Sequence, residues 1–178
     1  MPIRVEVYAS SGMAAGSLRA AHHLREAVER GAPLELDRVT WQALPELTPI
    51  PLEELALEPD DVVVVVGDDE TFLPVHAAWH AVTLHAGPYR IAAELPTMPG
   101  FDPGRALTRP SGEFVLLRDV RLELVGRPEL GSVEAHHALV NRYAVERVDA
   151  DIMLGFFFPG AAVDPAPAAA PRAAPDPA

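Results

Sequence analysis

The sequence predicts a mainly-β protein, α+β in detail, built from two pseudo-repeated ββαββ units, each a small barrel or bent sheet, and followed by a disordered C-terminal tail. Three observations carry this. Val5-Glu-Val7-Tyr-Ala-Ser-Ser-Gly12-Met-Ala14-Ala-Gly16-Ser-Leu18 alternates apolar and polar residues around a glycine-bearing turn, and so does Val82-Thr-Leu84-His-Ala-Gly87-Pro-Tyr89-Arg-Ile91-Ala-Ala93-Glu-Leu95. This alternation is the pattern of a hairpin with one buried face. With Leu18 matched to Leu95, Val5, Val7, Ala14 and Gly16 fall on Val82, Leu84, Ile91 and Ala93. Downstream, Leu34-Glu-Leu36-Asp-Arg-Val39-Thr-Trp41 echoes Val115-Leu-Leu117-Arg-Asp-Val120-Arg-Leu122. A period of this length is the mark of a duplicated structural unit.

The elements follow in order. The first hairpin, about Ile3–Leu18, leads into a helical segment in which Ala20, Leu24, Ala27 and Val28 share a face and Gly31 is the stop. A strand is expected over Pro33–Leu44, with Leu34, Leu36 and Trp41 pointing inward. Residues 45–60 carry four prolines and read as an extended or single-turn connection rather than a strand. Val62 to Val66 is a run of five valines, the composition of a central strand buried on both faces. Residues 69–81 join the halves, with Phe72, Val75 and Trp79 expected to pack. The second half repeats the order: a hairpin, a short helix opening at Asp102-Pro103, and strands near 113–125, 132–141 and 143–150. The expected divisions are 1–75 and 76–152 for the two units, 153–160 for an aromatic segment, and 161–178 for an Ala/Pro-rich tail unable to bury enough apolar surface to order itself.

Composition narrows the function classes. A net charge of -12 disfavours a nucleic-acid backbone, which needs clustered Lys and Arg to release counterions, and it disfavours an anionic membrane surface equally. The lack of cysteine removes thiol nucleophiles, disulfides and thiolate metal sites together. The longest apolar run, Ile152 to Phe158, is too short to span a bilayer. The first residues read as a strand and not as a leader, so the expected compartment is the cytoplasm.

The hairpin pattern resembles the first motif of Sm-like proteins, and Leu139-Val140-Asn141-Arg142-Tyr143-Ala-Val145-Glu-Arg-Val148 resembles their second, with Val64 to Val75 a looser match. The resemblance covers nearly all of residues 1–150. It implies tandem SH3-like small barrels, bent five-stranded sheets that often assemble through edge strands, and it places Asn141-Arg142 at the family's second RNA-contacting turn. The aspartate and asparagine with which the family holds an RNA base have no counterpart here.

His22, His23, His76, His80, His85, His136 and His137 have no Cys partner and no H-E-x-x-H spacing, so no metal or other cofactor is expected. Carboxylate pairs (Asp68-Asp69, Glu53-Glu54, Asp149 with Asp151) lie at strand ends or in a proline-rich loop, the usual place of solvated charge. No nucleophile, base or oxyanion set is recognisable, so no catalytic residue and no enzymatic activity is expected. Phe156, Phe157 and Phe158 are three consecutive aromatics and, with Met153, are the candidate partner or oligomer contact. The expected function is a non-catalytic protein-interaction or assembly module, its partner a second copy or another protein. The alternatives are a small-ligand or metal sensor using histidines and the groove between the halves, and an RNA-binding Sm-like protein.

Overall fold

Both alternating segments close into antiparallel hairpins in the computed structural model, which describes residues 2–19, 23–68, 73–100, 112–150, 154 and 157–165. In the first half, β1 (Arg4–Ala9) pairs with β2 (Gly12–Leu18), Val7 opposite Ala14. Helix α1 spans only Leu24–Val28, with no side-chain cap at His23, and buries Leu24 and Val28. It is followed by β3 (Leu34–Ala43). Gly12 is required by a close approach: a Cβ there would lie 2.5 Å from the Trp41 ring and 2.6 Å from the Gln42 carbonyl oxygen.

The next element corrects an expectation. Pro49–Leu57, read from its prolines as a connection, is a strand, β4, antiparallel to β3 from Leu34↔Leu57 to Gln42↔Pro49. Proline is excluded from a strand interior because it cannot donate to a ladder. Pro49 and Pro51 are two residues apart, so their missing N–H groups fall on the same side, and β4 ends the sheet with that side unpaired. The first half therefore runs β-β-α-β-β-β. The valine run forms β5 (Val62–Gly67), with Val62, Val63, Val64 and Val65 all buried.

The second half has β6 (Ala78–Ala86), β7 (Tyr89–Thr97), β8 (Phe114–Leu124), β9 (Ser132–Asn141) and β10 (Arg147–Ala150). The last of these starts later than expected because residues 142–144 turn. The helix expected at Asp102-Pro103 and the residue Phe72 lie outside the described residues. Val75, expected to pack, is 88% exposed, while Trp79 is half-buried at the start of β6 under the Arg118 guanidinium, 3.9 Å from its ring centre. The first residues of the expected tail supply a further correction. Ala162–Pro165 form β11, paired in parallel with β10 from Arg147↔Ala162 to Ala150↔Pro165. Alanine and proline bury little, but backbone pairing to an existing edge does not need side chains.

The described strands form one open sheet in the order β11-β10-β6-β7-β8-β9-β5-β1-β2-β3-β4. The halves are thus joined by a strand pair, β5 with β9, in which Val64 and Val65 oppose Val140 and Leu139. Each half also carries the same irregularity. The β2–β3 register shifts between Ala15 and Ser17 beside Arg38, which has φ 53°; the β7–β8 register shifts between Ala92 and Glu94 beside Asp119, with φ 49°. An extra residue in one strand of an antiparallel pair is a β-bulge, and it sharpens the bend of the sheet there.

Two apolar clusters fill the interior, and each draws on both halves. One gathers Val5, Val7, Leu36, Val39 and Val65 with Phe114, Leu116 and Leu139. The other gathers Leu84, Tyr89, Ile91, Leu117 and Phe158 with Tyr8, Val63 and Val64.

Candidate binding groove between the halves

The outward face of β1 and β2 does not lie in open solvent. Glu6, Tyr8, Met13 and Ala15 alternate with the inward Val7 and Ala14, and they face Leu122, Leu124, Leu130, Gly131 and Val133 from the second half across a cavity of about 350 Å³. Tyr8 and Leu122 are buried at its floor, whereas Leu130 and Val133 are 50% and 39% exposed at its mouth. Thr40 and Gln42 of β3 complete the wall. A second cavity adjoins it along β1 and shares Glu6, Ala15 and Val133; it adds Arg4, Val66, Asp68 and Glu134. The result is an apolar cleft with carboxylates along one side. Concave apolar surface with a few placed polar groups is the usual form of a binding site.

The floor is rigidly held. Tyr89, fully buried in the second hairpin, donates its hydroxyl to the carbonyl oxygens of Ala9 (2.8 Å) and Gly12 (3.2 Å) in the turn of the first. Its ring meets Tyr8 edge to face, centroids 5.8 Å apart. Tyr8 in turn donates to Glu6 Oε2 at 2.8 Å, which orients that carboxylate at the mouth. Burial raises the Tyr8 hydroxyl above its ordinary value, the Glu6 hydrogen bond adding to it, and burial alone raises Tyr89. The sign of the linkage is definite. Above about pH 10 the unfolded chain loses these protons while the native chain keeps them, so unfolding is favoured. Stability is expected to be insensitive to these groups below about pH 9 and to fall as pH rises past about 10. Thermal melts across this range should show a shallower alkaline decline in the Tyr8→Phe, Tyr89→Phe double variant; equal slopes would refute the assignment.

The residues singled out by sequence fare differently. Phe158 is fully buried in the second-half cluster, and Phe157 is half-buried against it. Phe158 is therefore spent inside the chain, while Met153 and Phe156 lie outside the described residues. The described histidines do not gather at one site; the His136 and His137 rings meet edge to face, 6.1 Å between centroids. His80 Nε2 meets Thr97 Oγ1 at 2.8 Å, His85 Nε2 lies 3.1 Å from Asp149 and 2.9 Å from Arg147, and the exposed His136 is 3.8 Å from Asp119. Among the described residues no group of three His, Asp or Glu could hold a metal ion, and no described histidine lines the cleft.

Of the carboxylates, Asp68 accepts the Arg4 backbone N–H at 2.8 Å, and Glu54 pairs with Arg19 at 2.6 Å. Asn141-Arg142, which the resemblance places at an RNA-contacting turn, is buried: Arg142 is 2% exposed. Asn141 donates to Val62 O (3.1 Å) and accepts from Tyr143 N (3.0 Å), tying β9 to the start of β5. Arg142 Nη1 donates to Gly112 O at 3.3 Å. These two side chains brace the junction.

No protein-family model, no curated protein and no solved structure matches this chain. Among the described residues no helix is long and apolar enough to cross a membrane.

Proposed function

We propose that this chain is a non-catalytic protein-interaction module, built from two repeated units, whose recognition surface is the cleft between them. The observation that carries this reading is the cleft itself: an apolar floor of Tyr8, Met13, Leu122 and Leu124, half-exposed Leu130 and Val133 at the mouth, and Glu6, Asp68 and Glu134 alongside. A partner of matching chemistry is a segment of another protein that presents apolar side chains flanked by Lys or Arg. The overall charge of -12 attracts such a segment. Repetition of the unit is supported by the matched bulges at Arg38 and Asp119 and the matched hairpins.

Amide NMR titration tests the proposal, with a lysine/leucine-rich peptide of about a dozen residues as probe. Shift changes are expected to cluster on Glu6, Met13, Thr40, Gln42 and Val133, and to vanish in a Leu130→Asp, Val133→Asp variant. Changes scattered over the surface, or unaffected by that variant, would overturn it. Saturable shifts in the cleft with small amines but none with peptides would favour the small-ligand alternative, and shifts with an RNA oligomer at low salt the Sm-like one.

A second reading, assembly of the chain with copies of itself through sheet edges, is favoured by the β5–β9 pair, which is already an edge-to-edge junction of two units.

A further inference from the structure

The two ends of the sheet are not equivalent to an incoming strand. At one end β4 has an unpaired side. At the other, the outer side of β10 is covered by β11. The registers define what β11 displaces. Val65 opposes Val7 in β1, and Val148 opposes Leu84 in β6; since Val7 matches Leu84 in the repeated hairpins, Val65 matches Val148 and Val64 matches Arg147. Likewise Leu52 opposes Val39 and Ala135 opposes Val120, so Ala56 and Leu57 of β4 match Leu139 and Val140 of β9.

The junction inside the chain sets Val64 and Val65 against Val140 and Leu139. Copied between two chains, it would set Arg147 and Val148 of one against Leu57 and Ala56 of the next. That is the place β11 fills, with Ala162 against Arg147 and Val163 against Val148. From this we infer that β11 is a terminator: it occupies the backbone edge that β4 of a second copy would take, and so holds the intact chain back from head-to-tail growth.

The inference rests on the assembly reading and deepens it. Pro49 and Pro51 lie at the other end of β4 and do not obstruct the segment concerned. Charge agrees as well. Arg147, now 3.6 Å from Asp164 of β11, would meet the end of a strand bearing Glu54 and followed by Glu58. The cover is lightly held. Ala162, Val163 and Asp164 are exposed, and the hold is a backbone ladder with Ala162 N donating to Glu146 O at 2.8 Å, next to an anchor at the buried Phe158. Interfaces of this head-to-tail kind either close into rings or grow as filaments.

Light scattering after size exclusion, at tens of micromolar, tests this on three chains: intact, truncated after Gly160, and full-length Ala162→Pro, which removes the donor to Glu146 and leaves everything else in place. The intact chain is expected to run as a single copy, and both altered chains, folded by circular dichroism, to rise about twofold or more in mass. Ala56→Pro added to the truncated chain removes an N–H that faces the unpaired side of β4, between Leu55 and Leu57 that face β3, and should return it to a single copy. If the folded altered chains have the same mass as an oligomeric intact chain, β11 is no terminator although assembly stands. If all of them stay single, both the inference and the assembly reading fall.

Discussion

Cutting the chain between residues 75 and 76 is expected to leave neither piece folded. Phe114, Leu116 and Leu139 belong to the cluster of the first half, and Tyr8, Val63 and Val64 to that of the second. Each fully buried side chain of this kind contributes about 1.5–3 kcal/mol, so losing three removes on the order of 5–9 kcal/mol from the first piece. The net stability of a whole domain is only about 5–15 kcal/mol, and pieces of this length have little reserve of buried surface. Residues 1–75 and 76–178 expressed separately should give collapsed amide spectra and weak β circular dichroism, and an equimolar mixture should regain both. A dispersed spectrum from either piece alone would show that the clusters do not depend on each other.

The second large effect is expected at Tyr89. Tyr89→Ala removes a fully buried ring and the bifurcated hydrogen bond of its hydroxyl to the first hairpin, with a loss of about 3–5 kcal/mol in urea denaturation. Tyr89→Phe keeps the ring and removes the hydroxyl proton shared by the Ala9 and Gly12 carbonyl oxygens, costing about 0.5–1.5 kcal/mol. The ratio between them matters more than either value. If Phe costs as much as Ala, the hydroxyl dominates and the cluster around the ring is looser than its burial implies. If Phe costs nothing, the hydrogen bonds do not hold the hairpins together.

Much of this fold is written locally. Val5, Val7 and Ala14, and Val82, Leu84 and Ile91, alternate with polar neighbours because each hairpin has one inward face, and that period survives in sequence. The five valines announce a central strand because both of its sides are buried. What could not be read depends on position in the sheet. Pro49 and Pro51 break a strand anywhere but at an edge with their nitrogens outward, and nothing near residue 50 says that β4 is an edge. The strand over Ala162–Pro165 escaped for the converse reason, since its pairing uses backbone alone.

The cleft was legible only in outline. Its residues come from β1, β2, β3, β8 and β9, and a groove between the halves could be anticipated without knowing which side chains line it. A usable signal was present in Tyr8 and Met13, apolar or aromatic residues at positions where the hairpin alternation calls for solvent-facing ones. The three phenylalanines before the tail gave the opposite lesson: a conspicuous run near a chain end, of which Phe158 is core.

The β5–β9 pair has a consequence in a different currency, that of concentration. Two cut pieces held by a ladder of two opposed residue pairs and by the shared clusters would part on sufficient dilution. Tethered in one chain they meet at an effective concentration in the millimolar range, whatever the number of molecules in the cell. The ladder therefore does not have to be tight to stay closed, and the constraint on Val64, Val65, Leu139 and Val140 comes from their burial in the two clusters.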